Sequence, residues 1–242
     1  MLELFVPFLL LVLLGVPIGF TLMLSSFFYL IMNQYPLVVI IQKLVSGVNN
    51  FTLLAVPFFI LAANFMNSSG VTEKLFGFAK KCIGFVPGGL AHSNVFVSLI
   101  FSGMSGAAVA DAGGLGLIEL KAMREDGYDD DFIAAVTGAS STIGPIIPPS
   151  IPMVVYSVLT GTSVAALFAA GIIPGIIMAV AMMLVIVVLA KKRNYPRHPR
   201  PTVLGVSRAF LQAVPALITP VIILGGILGG ITSPTEAGAI AV

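Results

Sequence analysis

The 242 residues contain no tryptophan, one cysteine (Cys82) and two histidines. A single thiol excludes an internal disulfide and any cysteine-based metal cluster, and Cys82 reads as a small apolar residue on a helix. Without tryptophan, an interfacial belt has to rely on the five tyrosines and on lysine and arginine. Charge is scarce too: 9% of residues are Asp, Glu, Lys or Arg, against roughly 25% in a soluble domain. The net charge of +2 comes with no basic stripe and no aromatic–basic interleaving, which excludes nucleic acid as a partner. Met1-Leu2-Glu3 lacks the basic start of a signal peptide and no small-residue cleavage site follows, so the first apolar stretch is expected to be retained. What remains is apolar residues: 58% of the chain, with a mean hydropathy of +1.08. This composition predicts an all-α polytopic membrane protein in a lipid bilayer, because only helices satisfy their own backbone within one segment.

Read in order, Leu4–Met32 is uncharged and interrupted by Gly15-Val16-Pro17. It exceeds one upright span of ~20 residues, and fits either one tilted, kinked helix or two short ones. Tyr35–Asn50 is amphipathic, and Phe51–Met66 is the next span. Val71–Phe85 mixes Glu73, Lys74, Lys80 and Lys81 with phenylalanines, the pattern of an amphipathic helix in the headgroup plane. Leu90–Phe101 and Ala107–Leu120 are each too short to cross a ~30 Å core at 1.5 Å per residue. They predict a re-entrant hairpin over 88–124; the alternative is one long span with a glycine-rich kink. Asp129-Asp130-Asp131 gives the next helix an acidic start, which suits its macrodipole. That helix breaks and resumes within 130–160. Val164–Ala190 is a long span, and 191–208 is the most basic stretch, cytoplasmic by the positive-inside rule. Phe210–Leu228 is a further span, and Ser233-Pro234-Thr235-Glu236 opens another that stops at Val242, as expected of a fragment.

Two breaks carry the chemistry. The first is Ser102-Gly103-Met104-Ser105-Gly106 followed by Asp111, and the second runs from Gly138 through Gly144-Pro145 to Pro148-Pro149-Ser150. Prolines lack an N–H and leave the carbonyl four residues earlier without its donor. In hydrocarbon such carbonyls are tolerated only where protein buries them or they line a polar cavity. Ser102 and Ser105, with the carbonyls of Gly144, Ile147 and Pro149 and the carboxylate of Asp111, form a candidate all-oxygen site. One carboxylate among oxygens suits a monovalent cation such as sodium better than zinc. Ser140, Ser141 and Pro148 are the candidates for solute contact. The plainer readings are prolines that only kink, an Asp111 that only stabilises the tip, and a Glu236 that only caps a helix. An intramembrane hydrolase pairing Ser105 with His92 is the weakest alternative, because the two are roughly 20 Å apart along one helix.

Ser102-Gly103-x-Ser105 with Ala110-Asp111, Gly144-Pro145-x-Ile147-Pro148-Pro149-Ser150, Gly15-Val16-Pro17 and Ser233-Pro234-Thr235-Glu236-Ala237 together resemble the large membrane subunit of tripartite ATP-independent periplasmic (TRAP) transporters, the DctM-like family. The resemblance runs over the whole chain. Family tips often read Ser-Gly-Ser-Ser, where this chain has Met104 and Gly106, which shifts weight onto backbone carbonyls. The resemblance implies an ion-transporter-like fold of two inverted repeats, each with a re-entrant hairpin and a broken helix. This chain would hold the first repeat and the opening of the second. The implied layout is scaffold helices over 1–70, an interfacial arm over 71–86 and a transport domain over 87–160. A membrane helix over 161–190, a cytoplasmic loop over 191–208 and the start of the second repeat over 209–242 complete it. Inversion favours two short helices over Leu4–Met32, with a periplasmic N-terminus. The implied activity is not enzymatic but sodium-driven secondary transport of a small organic anion, in an elevator-type stroke across the bacterial inner membrane. A periplasmic binding protein would deliver the solute, and a small four-helix membrane subunit would enlarge the scaffold. The competing expectation is a non-transporting assembly subunit.

Overall fold

The computed structural model describes residues 2–242, except for the side chains of 102–105. Within these limits every regular element is helical. The chain divides into two compact units, Met1–Asn50 and Phe51–Val242.

In the first unit, α1 (Leu2–Leu13) and α2 (Ile18–Met32) form an antiparallel pair, with the side chains of Glu3 and Asn33 joined at 2.9 Å. The long apolar stretch is therefore two helices. Gly15 turns between them at φ +77°, a left-handed conformation that glycine adopts without penalty, and Pro17 closes the turn. The amphipathic α3 (Val38–Val48) follows, with no buried residue.

The second unit opens with a 3₁₀ turn at Phe51–Leu54 and continues into α4 (Ala55–Ser68). Next, α5 (Val71–Ile83) turns its apolar face inward, burying Leu75, Phe76 and Ala79. Protein covers that face, because α5 packs on α6 (Gly89–Ser105) and α12 (Val203–Leu228). The second arm of the hairpin comprises α7 (Ala108–Ala110), a π-helical turn (Asp111–Leu115) and α8 (Gly116–Glu125). The broken helix is α9 (Asp130–Ser141) and α10 (Ile151–Thr160), with Ser150 capping α10 by accepting from the Met153 N–H. Then come α11 (Val164–Lys192), α12 and the short α13 (Pro234–Ala241).

The helix of Phe51–Ser68, α11 and α12 are long and apolar enough to cross a membrane. One core gathers α5, α6, α8, α9 and the second half of α11 around Leu90, Phe101, Met123 and Ile133. A smaller one joins α4, α10, α11 and α13 around Phe59, Val154 and Phe168. Burying each such side chain contributes about 1.5–3 kcal/mol where water is the alternative. The faces left exposed are almost wholly Leu, Ile, Val and Phe, as on α11 at Ile173, Ile177, Leu184 and Val188. Lipid is a solvent for such a surface; water is not.

Candidate functional site

The site is built where the two breaks touch. The link between the hairpin arms is Gly106-Ala107, with α7 resuming at Ala108. Gly106 takes φ +59°, and its carbonyl accepts from the Ile151 N–H at 3.2 Å. A Cβ on Gly106 would lie 2.7 Å from the Pro149 carbonyl oxygen and 2.9 Å from the Ile151 nitrogen. Only glycine fits this left-handed turn against another backbone. On the other flank, a Cβ on Gly144 would approach Ala107 and Ala108 to 3.4 Å. Gly144 and Pro149, both predicted from sequence, thus meet the hairpin turn from two sides.

Ile147 holds the loop from behind. Its side chain sits where a Cβ on Gly175 would be, 2.2 Å from Cδ1, and the Ile146 carbonyl lies 2.4 Å from the equivalent point on Gly171. The small residues of α11 let the broken helix nest against it. Ser150 also donates to the Pro145 carbonyl at 2.5 Å, closing the loop on itself. The predicted roles of the Ser102 and Ser105 hydroxyls fall outside the described residues.

Asp111 opens the π turn and is 2% exposed. It lies one turn into the second arm; a helix starting at the tip would have put it two turns in. The difference arises because the second arm starts only at Ala108, where Ala107 is still extended. Ser98 of α6 approaches the carboxylate, though neither of its oxygens has a hydrogen-bond partner of normal geometry among the described residues. The sequence reading missed a second buried acid. Glu119 on α8 is 1% exposed, and Asp111 acts on it electrostatically. Its spacing of eight residues from Asp111, two turns along the same arm, was the available signal.

Ser140 and Ser141 are engaged inside the protein. Ser140 donates to Asn94 Oδ1 at 2.7 Å, and Asn94 donates to Thr137 at 2.9 Å. Ser141 bonds the Gly138 carbonyl at 2.9 Å. The Asn94–Thr137–Ser140 chain clamps α6 to α9; the Asn94 amide among short polar residues of α6 was its trace in sequence. Pro148 is buried in the loop. Glu236 completes a capping box, receiving the Ser233 N–H and hydroxyl at 2.7 Å each, so its local role is the cap.

Away from the bilayer-facing surface, the 124–130 turn is tied to the basic loop. Asp129 does not cap α9 with its side chain. Instead Oδ2 accepts from Tyr195 at 2.6 Å and Arg193 at 2.9 Å, and Arg193 lies over the Phe132 ring. These two donors, Tyr195 first, hold the Asp129 carboxyl below the usual carboxylate range. His198 faces Asp126 at 3.2 Å.

An apolar exterior, a hairpin of short helices and a broken helix meeting it backbone to backbone define a polytopic membrane protein of the transport type. Residues 5–242 match the family described as the DctM component of the tripartite ATP-independent periplasmic transporter. The chain is 47% identical to the sialic acid TRAP transporter large permease protein SiaM of Vibrio cholerae, over 93% of its own length and 53% of the relative's. It is 47% identical to the sialic acid permease SiaT of Haemophilus influenzae, over 94% and 37% respectively. Against the C4-dicarboxylate permease DctM of Vibrio cholerae the identity is 39%, over 94% and 51%. The chain therefore belongs to the DctM family of TRAP transporter large permeases, which are transport proteins and not enzymes. It spans about half the length, or less, of these relatives.

Proposed function

We propose that this chain supplies one inverted repeat, and the start of the second, of a sodium-coupled permease for a small organic acid. The observation that carries this reading is the meeting of Gly106 with Pro149–Ile151, five residues before the buried Asp111. The oxygens fit a monovalent cation: carbonyls from Gly144, Ile147 and Pro149, and one carboxylate that lacks a basic partner among the described residues. Bound sodium supplies a positive charge that makes the buried Asp111 tolerable. Asp111 would hold that charge near the hairpin turn, while the Asn94–Thr137–Ser140 clamp keeps the hairpin and α9 moving as one piece. Such a piece, comprising the re-entrant hairpin and the broken helix, suits an elevator-type stroke against the remaining helices.

The solute would arrive from a periplasmic binding protein, and a small four-helix membrane subunit would broaden the static part, both in the bacterial inner membrane. The naming of two 47%-identical relatives for sialic acid favours a sugar acid over a plain dicarboxylate. The permease reading also outweighs a purely assembly-forming role, because a scaffold has no need of a carboxylate buried as Asp111 is. The test is sodium-driven uptake of N-acetylneuraminate and succinate by the full-length permease in proteoliposomes. Uptake that ignores a sodium gradient would overturn the coupling.

A further inference from the structure

A second cavity, of 350 Å³, opens on the other side of the same π turn that buries Asp111. Its walls are α4, through Ile60, Asn64 and Asn67, and the hairpin arm, through Val109, Gly113 and Gly114. Three features set it apart from the apolar grooves elsewhere on the surface. Asn64 is exposed into it and makes no hydrogen bond among the described residues, although α4 is apolar from Ala55 to Ala63. Asn67 accepts from Thr72 through Oδ1, which leaves its Nδ2 against the Gly114 backbone, 2.4 Å from where a Cβ would stand. Gly113 has nothing within 4 Å of a built Cβ. Glycine inside a helix is destabilising relative to alanine, and at Gly113 no packing neighbour requires it. Its missing side chain keeps the space open.

We infer that this cavity binds the hydroxyl-bearing body of the transported solute, with Asn64 and Asn67 as its hydrogen-bonding contacts. An amide both donates and accepts, which matches hydroxyl groups. No lysine or arginine lines the cavity, so a carboxylate would have no counter-charge there and must be held elsewhere. The class is therefore a polyhydroxylated acid such as a sugar acid, not a simple dicarboxylate. Because Ala110 and Gly113 face the cavity while Asp111 points inward, one turn of helix carries both the solute contact and the buried carboxylate. The inference rests on the transport reading above and names the solute contacts within it.

The test uses the full-length permease in a Cys82→Ser background, with N-acetylneuraminate and succinate as probes. A Gly113→Cys variant should react with a small water-soluble thiosulfonate, and N-acetylneuraminate should slow that reaction at least fivefold while succinate leaves it unchanged. Asn64→Leu should raise KM for N-acetylneuraminate about tenfold with little change in kcat, and Gly113→Leu should abolish uptake. Gly113→Ala, which fits the helix, serves as the folding control. No labelling of Gly113→Cys, labelling without protection, or a Gly113→Leu variant with the original KM would each overturn the inference. In that event sodium-driven uptake by the unmodified protein would leave the transport reading standing. An unmodified protein that moves neither solute would overturn both.

Discussion

At the scale of single residues, the site depends on a buried charge and on one missing side chain. Asp111 is almost wholly removed from solvent, with no compensating base among the described residues. Asp111→Asn keeps its shape and removes its charge. Losing one interaction with a charged group costs about 1.5–3 kcal/mol, so sodium should be required at ten- to hundredfold higher concentration for half-maximal uptake. Insertion into the membrane should be unchanged, and an unaltered sodium dependence would dissociate Asp111 from the cation. Gly106 is the converse case. Gly106→Ala places a methyl group 2.7 Å from the Pro149 oxygen in a left-handed turn. Left-handed strain of about 1–2 kcal/mol adds to overpacking of about 1–3 kcal/mol. The variant should unfold in detergent several degrees below the parent and lose transport, whereas Gly225→Ala, which meets nothing within 4 Å, should do neither.

At the scale of elements, two predictions concern how the hairpin is held. Its ends, near Phe85 and Glu125, should lie on one side of the membrane, because α6 and the second arm are each too short to span. Phe85 is 41% exposed and Glu125 is also exposed, so cysteines at both positions, with Cys82 replaced, should label from the cytoplasmic side only. Labelling from opposite sides would make the segment a true span. The second prediction is electrostatic. The Asp129 carboxyl is held low by Tyr195 and Arg193. Its contribution to stability is thus present above the unfolded value of about 4 and lost as pH falls through the lower folded value. Arg193→Gln should shift the Asp129 titration upward in NMR. It should leave stability at pH 7 nearly unchanged, because the pair is solvent-exposed. A downward shift would contradict the pairing.

At the scale of the whole molecule, the exposed apolar faces of α11 and α12 suit lipid, but exposed polar groups beside the hairpin, such as the Asn64 amide, need cover. Each bare carbonyl in hydrocarbon costs several kcal/mol. Residues 1–242 expressed alone should therefore insert without transporting, and co-expression with the remainder of a family permease should restore uptake. Sodium-dependent uptake by purified 1–242 in proteoliposomes would show that the solute path lies within these residues.

The sequence by itself determined the class of molecule, because hydropathy, segment length and proline placement act locally and need no knowledge of neighbours. Thus the helix of Phe51–Ser68, α11 and α12 stand where their apolar runs do, and the broken helix parts where Pro145, Pro148 and Pro149 remove its donors. Gly15-Val16-Pro17 marked a boundary without saying whether the chain kinked or turned back; the pairing of α1 with α2 decided that. Only the tertiary structure showed that Gly106 abuts Pro149. It likewise showed that Asn64 and Asn67 face Gly113 and Gly114. These are contacts between elements distant in sequence or on opposite helix faces. No periodicity encodes them, because the same polar residue reads alike whether water, lipid or another backbone lies opposite.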